Sequence, residues 1–242
     1  MGPLLEVDHL DKRYGAVVVA DDICCRVDRA SCVGLIGPNG AGKSSLFNML
    51  TGIVPPDAGA IRLEGQDIGN IKAHGRVHLG IVRAFQIPRP FARLSVYENV
   101  LTAALYGAGL PGPRARRLAV DVLNRTGLLA QADEPAGHLR LLDRKRLELA
   151  KAIATKAKLL LLDEIASGLT DREVAALIDL IATLKADHAI IWIEHIPHAL
   201  RAVADRIMVL HFGRKVLDGA PADVMSSPLV REIYMGLSAD AA

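Results

Sequence analysis

Long hydrophobic runs are lacking from this sequence, and so is a secretory signal at its start. Its apolar stretches, such as residues 159–162 and 189–193, fall far short of the ~20 residues that cross a bilayer. The first residues have neither the basic region nor the long apolar core of a signal peptide. We therefore expect a protein that does not cross a membrane itself and that resides in the cytoplasm.

Paired cysteines and a strong net charge are lacking as well. The three cysteines, Cys24, Cys25 and Cys32, show no metal-binding spacing and fall in strand-like segments, which indicates buried, reduced thiols. The formal net charge is only +2, and the basic clusters at 114–117 and 140–146 contain no interleaved aromatic residues. Such clusters are typical of a solvated helix face, so nucleic acid is not an expected partner.

The most informative stretch is a glycine-rich turn between an apolar run at 32–36 and a helix-forming run that begins at Lys43. Glycines allow the backbone to close around an anion, and a helix N-terminus offers unpaired N–H groups and about half a positive charge. This arrangement predicts a phosphate-binding loop, in which Lys43 reaches the β and γ phosphates of a nucleotide and the Ser44 hydroxyl binds a magnesium ion. A turn whose glycines serve only tight packing is the alternative. The predicted nucleotide-binding residues of the loop are Gly37, Pro38, Asn39, Gly40, Ala41, Gly42, Lys43, Ser44 and Ser45.

Polar side chains also follow three predicted strands: Gln86 follows the first, Asp163 and Glu164 end the second, and His195 follows the third. A wholly apolar strand is typical of the centre of a parallel sheet, whose carboxyl edge binds the ligand. Asp163 is therefore a candidate holder of the magnesium ion, and Glu164 a candidate general base that orients the attacking water. His195 is expected to face the γ-phosphate. The alternatives are two solvated acids and a structural histidine.

The hydrophobic pattern predicts an α/β fold in one domain, 1–242, because 51% of the residues are hydrophobic and can bury one sizeable core. Residues 4–86 and 158–236 are interpreted as a nucleotide-binding core, a mostly parallel sheet with an antiparallel β subdomain. Residues 87–157 have helical periodicity and are predicted to form a helical subdomain. Tyr14 lies in a predicted turn before the phosphate loop, where its ring either stacks on a purine base or packs against the sheet.

The order of these motifs resembles that of the ATP-binding subunits of ABC transporters, which have a P-loop nucleotide hydrolase core, from Leu4 to Gly236. The stretch 34–48 is similar to many ABC ATPases. Two further stretches, 83–91 (Arg-Ala-Phe-Gln-Ile-Pro-Arg-Pro-Phe) and 232–236 (Glu-Ile-Tyr-Met-Gly), resemble the subunits of branched-chain (hydrophobic) amino-acid importers in particular.

The resemblance implies ATP and Mg²⁺ as cofactors and a role for each motif. Tyr14 would stack on adenine, and the phosphate loop would wrap the phosphates. Gln86 would contact magnesium and the attacking water and sense the membrane subunit. Asp163 would support the metal, Glu164 would act on the water, and His195 would contact the γ-phosphate. In such proteins two chains close head to tail, so that each ATP lies between the phosphate loop of one chain and a signature loop of the other.

The signature is where this sequence departs from the family. Leu-Ser-Gly-Gly-Gln, or Leu-Pro-Tyr-Gly-Gln in this subfamily, is expected, whereas residues 139–143 read Leu-Arg-Leu-Leu-Asp. Leu142 in place of glycine would obstruct close backbone approach, and Asp143 would bring negative charge toward a polyphosphate. A loop that turns these side chains away is the alternative. The departure predicts a heterodimer with a second ABC ATPase subunit that has a regular signature, rather than a homodimer.

These expectations describe an ATP hydrolase on the inner face of the cell membrane that powers an importer of branched-chain or other hydrophobic amino acids or related small solutes. Its implied partners are transmembrane permease subunits and, indirectly, a solute-binding protein. The alternatives are a regulatory nucleotide-binding subunit with little turnover, the ATPase of an exporter, and a soluble ABC ATPase that acts on nucleic acid or ribosomes. The last class usually has two such domains or long coiled insertions, and this sequence has neither.

Overall fold

The computed structural model describes residues 2–235, so Gly236, the last residue of the predicted core, lies outside the described residues. The strands are β1 (Leu5–Tyr14), β2 (Val17–Val27), β3 (Cys32–Ile36), β4 (Ala58–Leu63), β5 (Gln66–Asp67), β6 (Ile81–Ala84), β7 (Leu159–Asp163), β8 (Ala189–Ile193), β9 (Arg206–His211) and β10 (Arg214–Gly219). The α-helices are α1 (Lys43–Leu50), α2 (Ala73–Leu79), α3 (Val96–Thr102), α4 (Gly112–Arg125), α5 (Leu141–Ala154), α6 (Asp171–Lys185), α7 (Pro197–Val203), α8 (Pro221–Ser226) and α9 (Pro228–Met235).

The larger sheet has the strand order β10-β9-β3-β8-β7-β6. All neighbouring strands in it pair in parallel except β9 and β10, which are antiparallel. Strands β3, β7 and β8 are buried along their whole length, as their continuous apolar sequences predict. Because parallel strands end at the same edge, the segments that follow β3, β6, β7 and β8 meet there. The predicted α/β class is confirmed, and this edge is where the phosphate loop lies.

The smaller sheet is antiparallel, with the strand order β2-β1-β4-β5. It shares a hydrophobic core with β3 and α1, in which Leu10, Ile23, Leu35 and Phe47 are fully buried. Two register shifts interrupt the pairing of β1 with β2 between Val7 and Lys12. Such bulges break the alternation of apolar and polar residues, so the sequence pattern shows only part of each strand.

Helices α3 to α5 occupy the chain between β6 and β7, and the apolar sides of these helices form a second core together with the buried Trp192 of β8. Helix α3 begins with a capping box, in which the Ser95 hydroxyl accepts the Glu98 N–H and the Glu98 carboxylate accepts the Ser95 N–H. Among residues 2–235, no helix is both long and apolar enough to cross a membrane.

Several predicted boundaries differ from the structure. Tyr14 is the last residue of β1 rather than part of a turn. Helix α5 begins at Leu141, so most of the predicted signature loop is the first helical turn. Strands β9 and β10 form an antiparallel hairpin with its turn at Phe212.

The cysteines are unpaired, as the sequence predicts, but they are not equally buried. Burial raises the pKa of the Cys25 and Cys32 thiols to about 12, so both are protonated and inert at neutral pH. Cys24 is half-buried, which corrects the expectation that all three thiols lie in the core.

Arg76 is an unusual core residue, because its guanidinium is fully buried at the end of the phosphate-loop helix. It donates to the carbonyls of Met49 (2.5 Å) and Leu50 (3.0 Å) at the C-terminus of α1, and to those of Gly69 (2.9 Å) and Ile71 (2.8 Å). A cation at a helix C-terminus is favourable, and here it also pairs buried carbonyls.

We expect Arg76→Met to lower the free energy of unfolding by about 3 kcal/mol, because two buried and two partly buried carbonyls lose their charged donor. Urea unfolding followed by circular dichroism measures the change. His74→Met, an exposed position on the same helix, should stay within about 0.5 kcal/mol of the parent. Equal stability of the two variants would contradict the role of Arg76.

Candidate nucleotide site

The phosphate loop is built on two glycines that no other residue can replace without moving the backbone. Gly37 has φ +153° and Gly42 has φ +102°. A Cβ atom at Gly37 would collide with the carbonyl oxygen of Leu210, and one at Gly42 with the carbonyl oxygen of Val19. The loop is therefore clamped between β9 and β2, with no room for side chains on its inner side.

The loop and α1 together suit an anion. Gly42 is the N-cap of α1, no side chain caps the first turn, and that turn contains no acidic residue. Lys43 is buried, and its Nζ donates to the carbonyls of Gly37 (2.6 Å) and Pro38 (3.0 Å) in its own loop. Burial lowers the pKa of Lys43, and the nearby carboxylates of Asp163 and Glu164 oppose that shift. Phosphate groups fit this chemistry, since they accept both the uncapped N–H groups and the ammonium.

Glu164 lies at the centre of a hydrogen-bonded cluster at the same edge. Gln86 Nε2 donates to Glu164 Oε2 at 2.7 Å, and His195 Nε2 lies 2.8 Å from Glu164 Oε1. Because a carboxylate only accepts, the imidazole must carry its proton on Nε2 in this contact. The structure thus brings together three residues that lie far apart in the sequence and that the sequence predicted for the site.

The backbone holds Glu164 in a strained conformation. Its φ is +47°, in the left-handed region that glycine favours. The Glu164 N–H donates to the carbonyl of Ile193 at 2.8 Å, and its own carbonyl accepts the N–H of Ser167 at 3.1 Å. Such strain is sustained only where surrounding contacts fix it, and it is common at functional sites. Here it presents the carboxylate to Gln86 and His195.

Asp163, the last residue of β7, is nearly buried and ion-paired with Arg83 of the neighbouring strand β6. Arg83 also donates to the side-chain oxygen of Asn48, on α1, at 2.9 Å. Asp163 therefore lies beside the phosphate loop, as predicted, but with a cation that the sequence did not predict as its partner.

The remaining predicted residues are less closely tied to this cluster. Ser44 is exposed and Ser45 half-buried at the start of α1. Tyr14 is 49% exposed, and the Lys12 ammonium lies 5.5 Å from the centre of its ring. Tyr14 is the last residue of β1, and β1 pairs with β2. The carbonyl of Val19, in β2, lies beside Gly42. Stacking of Tyr14 on adenine stays a prediction, as do the roles of the two serines.

Two supporting residues were missed by sequence reasoning. Glu194 is 2% exposed, and its carboxylate accepts the N–H groups of Ala166 (3.2 Å) and His195 (2.9 Å). Burial raises the pKa of Glu194, and these two hydrogen bonds oppose that shift. Tyr234 of α9 places its hydroxyl 2.9 Å from the N–H of Gly37, which donates to it. The only sequence signal for Glu194 was its position beside His195 at a strand end, and Tyr234 lies 197 residues from its partner.

In the signature region, Asp143 and Leu142 make contacts within their own chain. Asp143 accepts from Gln131 (3.1 Å) and forms an ion pair with Arg146 (3.2 Å), while Leu142 packs partly buried against the helical core. Leu141 is 41% exposed and lies against Gly168. The negative charge of Asp143 is thus partly balanced within the chain, which favours the alternative for this one residue.

Comparisons with known proteins agree with this geometry. The family model described as ABC transporter matches residues 20–167. The chain is 35% identical to the high-affinity branched-chain amino acid transport ATP-binding proteins BraF of Pseudomonas aeruginosa and LivG of Escherichia coli, over 97% of this chain and 98% of each relative. It is also 32% identical to the lipopolysaccharide export system ATP-binding protein LptB of Acidithiobacillus ferridurans, over 98% of both chains.

Solved structures show the same fold. The ADP conformation of an ATP-binding cassette of an ABC transporter matches with a TM-score of 0.88 at 27% identity, over 98% of this chain and 100% of the other. A nucleotide-free cassette matches with a TM-score of 0.86 at 27% identity, over 96% and 98%. The chain therefore belongs to the ABC transporter family and is one of its ATPases.

Proposed function

We propose that this ATPase binds ATP with Mg²⁺ in the phosphate loop and hydrolyses it at the Gln86–Glu164–His195 cluster. The observation that carries the proposal is that cluster itself, which lies at the carboxyl edge of the parallel sheet beside the buried Lys43. Magnesium would supply charge neutralisation between the phosphates. Ser44, Gln86 and Asp163 offer the oxygen ligands or supports that this ion prefers.

Glu164 accepts a proton from the attacking water, or orients that water, while Gln86 and His195 fix the direction of its carboxylate. The Lys43 ammonium would stabilise negative charge that develops on the γ-phosphate, and His195 would contact that phosphate by turning its Nε2–H from Glu164 toward it. The Glu194 carboxylate holds the backbone of His195 and of Ala166, so the segments after β7 and β8 keep one relative position.

The active form is proposed to be a head-to-tail dimer, in which the first turn of α5 completes the site of the opposite chain. Residues 139–143 differ from the family signature, and a second ABC ATPase subunit with a regular signature is the proposed partner. In such a heterodimer the site on this chain's own Lys43 stays complete. Because Asp143 already pairs with Arg146 of its own chain, the proposed main difference is Leu142.

The proposed docking site for a transmembrane permease is a groove of about 400 Å³ between α1, α2, β6 and α5. The side chains of Ile53, Phe85 and Arg89 line it, and Ile87 and Phe91, which follow in the chain, are 70% and 55% exposed. We call this the lateral groove. Its apolar floor and exposed apolar rim fit a segment of a membrane protein at the cytoplasmic surface, and Gln86 lies between the groove and Glu164.

The proposed task of the complex is import of branched-chain or other hydrophobic amino acids, with a solute-binding protein outside the membrane. This rests on the 35% identity to BraF and LivG across nearly the whole chain. The test is uptake of labelled leucine, isoleucine and valine by the source organism after deletion of the gene. Uptake should fall and return with the wild-type gene but not with Glu164→Gln, and unchanged uptake would overturn the assignment.

Export is the second candidate, because LptB is 32% identical over nearly the same length. The same deletion strain decides between them. A defect in surface lipopolysaccharide with normal amino-acid uptake would favour the exporter.

A further inference from the structure

Arg83 is the one side chain of the described residues that both lines the lateral groove and pairs with Asp163. It lies in β6, next to Asp163's strand, and its side chain is 10% exposed. One terminal nitrogen donates to the Asp163 carboxylate, and the other donates to Asn48 of the phosphate-loop helix at 2.9 Å. A planar guanidinium can bridge two acceptors in this way, which a lysine ammonium cannot do in the same plane.

Aromatic rings hold the guanidinium from both the core and the groove. Its central carbon lies 4.9 Å from the ring centre of Phe85 and 5.5 Å from that of Phe47. Phe47 is fully buried on α1, whereas Phe85 is 38% exposed in the wall of the groove. The Arg83 Nε atom is buried and has no hydrogen-bond partner in the described part of the chain. The position of the charge therefore depends on two hydrogen bonds and on the ring of Phe85.

We propose that Arg83 is a positioning residue that couples occupation of the lateral groove to the carboxylate of Asp163. A permease segment that presses on Phe85 moves the guanidinium and so changes the positive charge beside Asp163. Since both side chains are nearly buried, this charge acts through a medium that screens it weakly. The inference rests on the proposed permease docking and adds to it a route from the groove to the metal-supporting carboxylate.

The first experiment uses the isolated chain and measures how binding of a fluorescent, non-hydrolysable ATP analogue depends on Mg²⁺ concentration. In Arg83→Met the half-saturating Mg²⁺ concentration should fall about threefold. Loss of a cation beside Asp163 strengthens the attraction of this carboxylate for Mg²⁺. The control is Arg93→Met, since Arg93 is an exposed arginine that does not line the groove. Its Mg²⁺ dependence should equal that of the parent. An unchanged value in Arg83→Met, with the unfolding temperature preserved, would overturn the coupling.

The second experiment repeats the titration with the branched-chain permease subunits in nanodiscs. The permease should shift the Mg²⁺ dependence of the wild type and leave that of Arg83→Met unchanged. Arg83→Lys, which keeps the charge but not the planar bridge, should match the wild type when isolated and should lose the response to the permease. A full response in either variant would overturn the coupling while leaving permease docking intact. If the wild type fails to bind the permease, docking itself is wrong, and the titration of the isolated chain still reports whether Arg83 acts on Asp163.

Discussion

The Glu164→Gln variant is expected to bind ATP as the wild type does and to lose turnover by roughly a hundredfold or more. The amide has nearly the same shape as the carboxylate but cannot take a proton from water. It also has only one accepting oxygen, whereas Gln86 and His195 now donate to two. To keep both contacts, Gln86 must turn its amide or His195 must change its tautomer, so that one of them accepts from the new amide, and the side chain loses its basicity in either case.

Phosphate release measures turnover, and equilibrium titration with a fluorescent ATP analogue measures binding. The matched control is Glu173→Gln, the same chemical change at a partly exposed residue whose partner is Thr170 at the start of α6. The control should keep both values within about twofold, as expected for a surface change away from the site. Turnover of Glu164→Gln near that of the control would remove Glu164 from its catalytic role.

Local sequence was enough to predict a tight glycine-rich turn between β3 and α1. Glycine is required at 37 and 42, because both residues have positive φ values and lie against the carbonyls of Leu210 and Val19. The glycines in the sequence therefore indicate the backbone conformation of the loop directly. The rule that parallel strands end at one edge then placed Gln86, Glu164 and His195 together without knowledge of the strand order. Their hydrogen bonds in the structure support that step.

Contacts between distant side chains were not predictable in the same way. The pairing of Arg83 with Asp163 depends on the register of β6 against β7, in which Arg83 lies opposite Leu161. No local pattern encodes a register between strands that are separated by more than 70 residues. Tyr14 was placed in a turn because bulges interrupt β1, and polar residues at the end of an irregular strand look like a loop.

The second large prediction concerns the signature region. It is tested by mixing two versions of the chain, because the signature of one chain would complete the site of the other. The chain Lys43→Ala/Leu142→Gly should be inactive alone, because it cannot bind the phosphates of ATP. Mixed with the wild type, it should raise phosphate release per wild-type chain by about tenfold, since a repaired first turn of α5 then faces an intact phosphate loop in the opposite chain. Lys43→Ala with the original Leu142 should give no increase, which separates repair from simple dimerisation.

The same mixing experiment with Lys43→Ala/Asp143→Gln distinguishes the two ways in which the signature departs from the family. Asp143 is 16% exposed, accepts from Gln131 and is paired with Arg146, so its charge is already compensated away from the opposite chain. We expect this combination to behave like Lys43→Ala alone. An increase equal to that of the Leu142→Gly chain would show that the charge of Asp143 weakens the site. No increase in either mixture would show that residues 139–143 tolerate their side chains, and the reason to expect a heterodimer would then be lost.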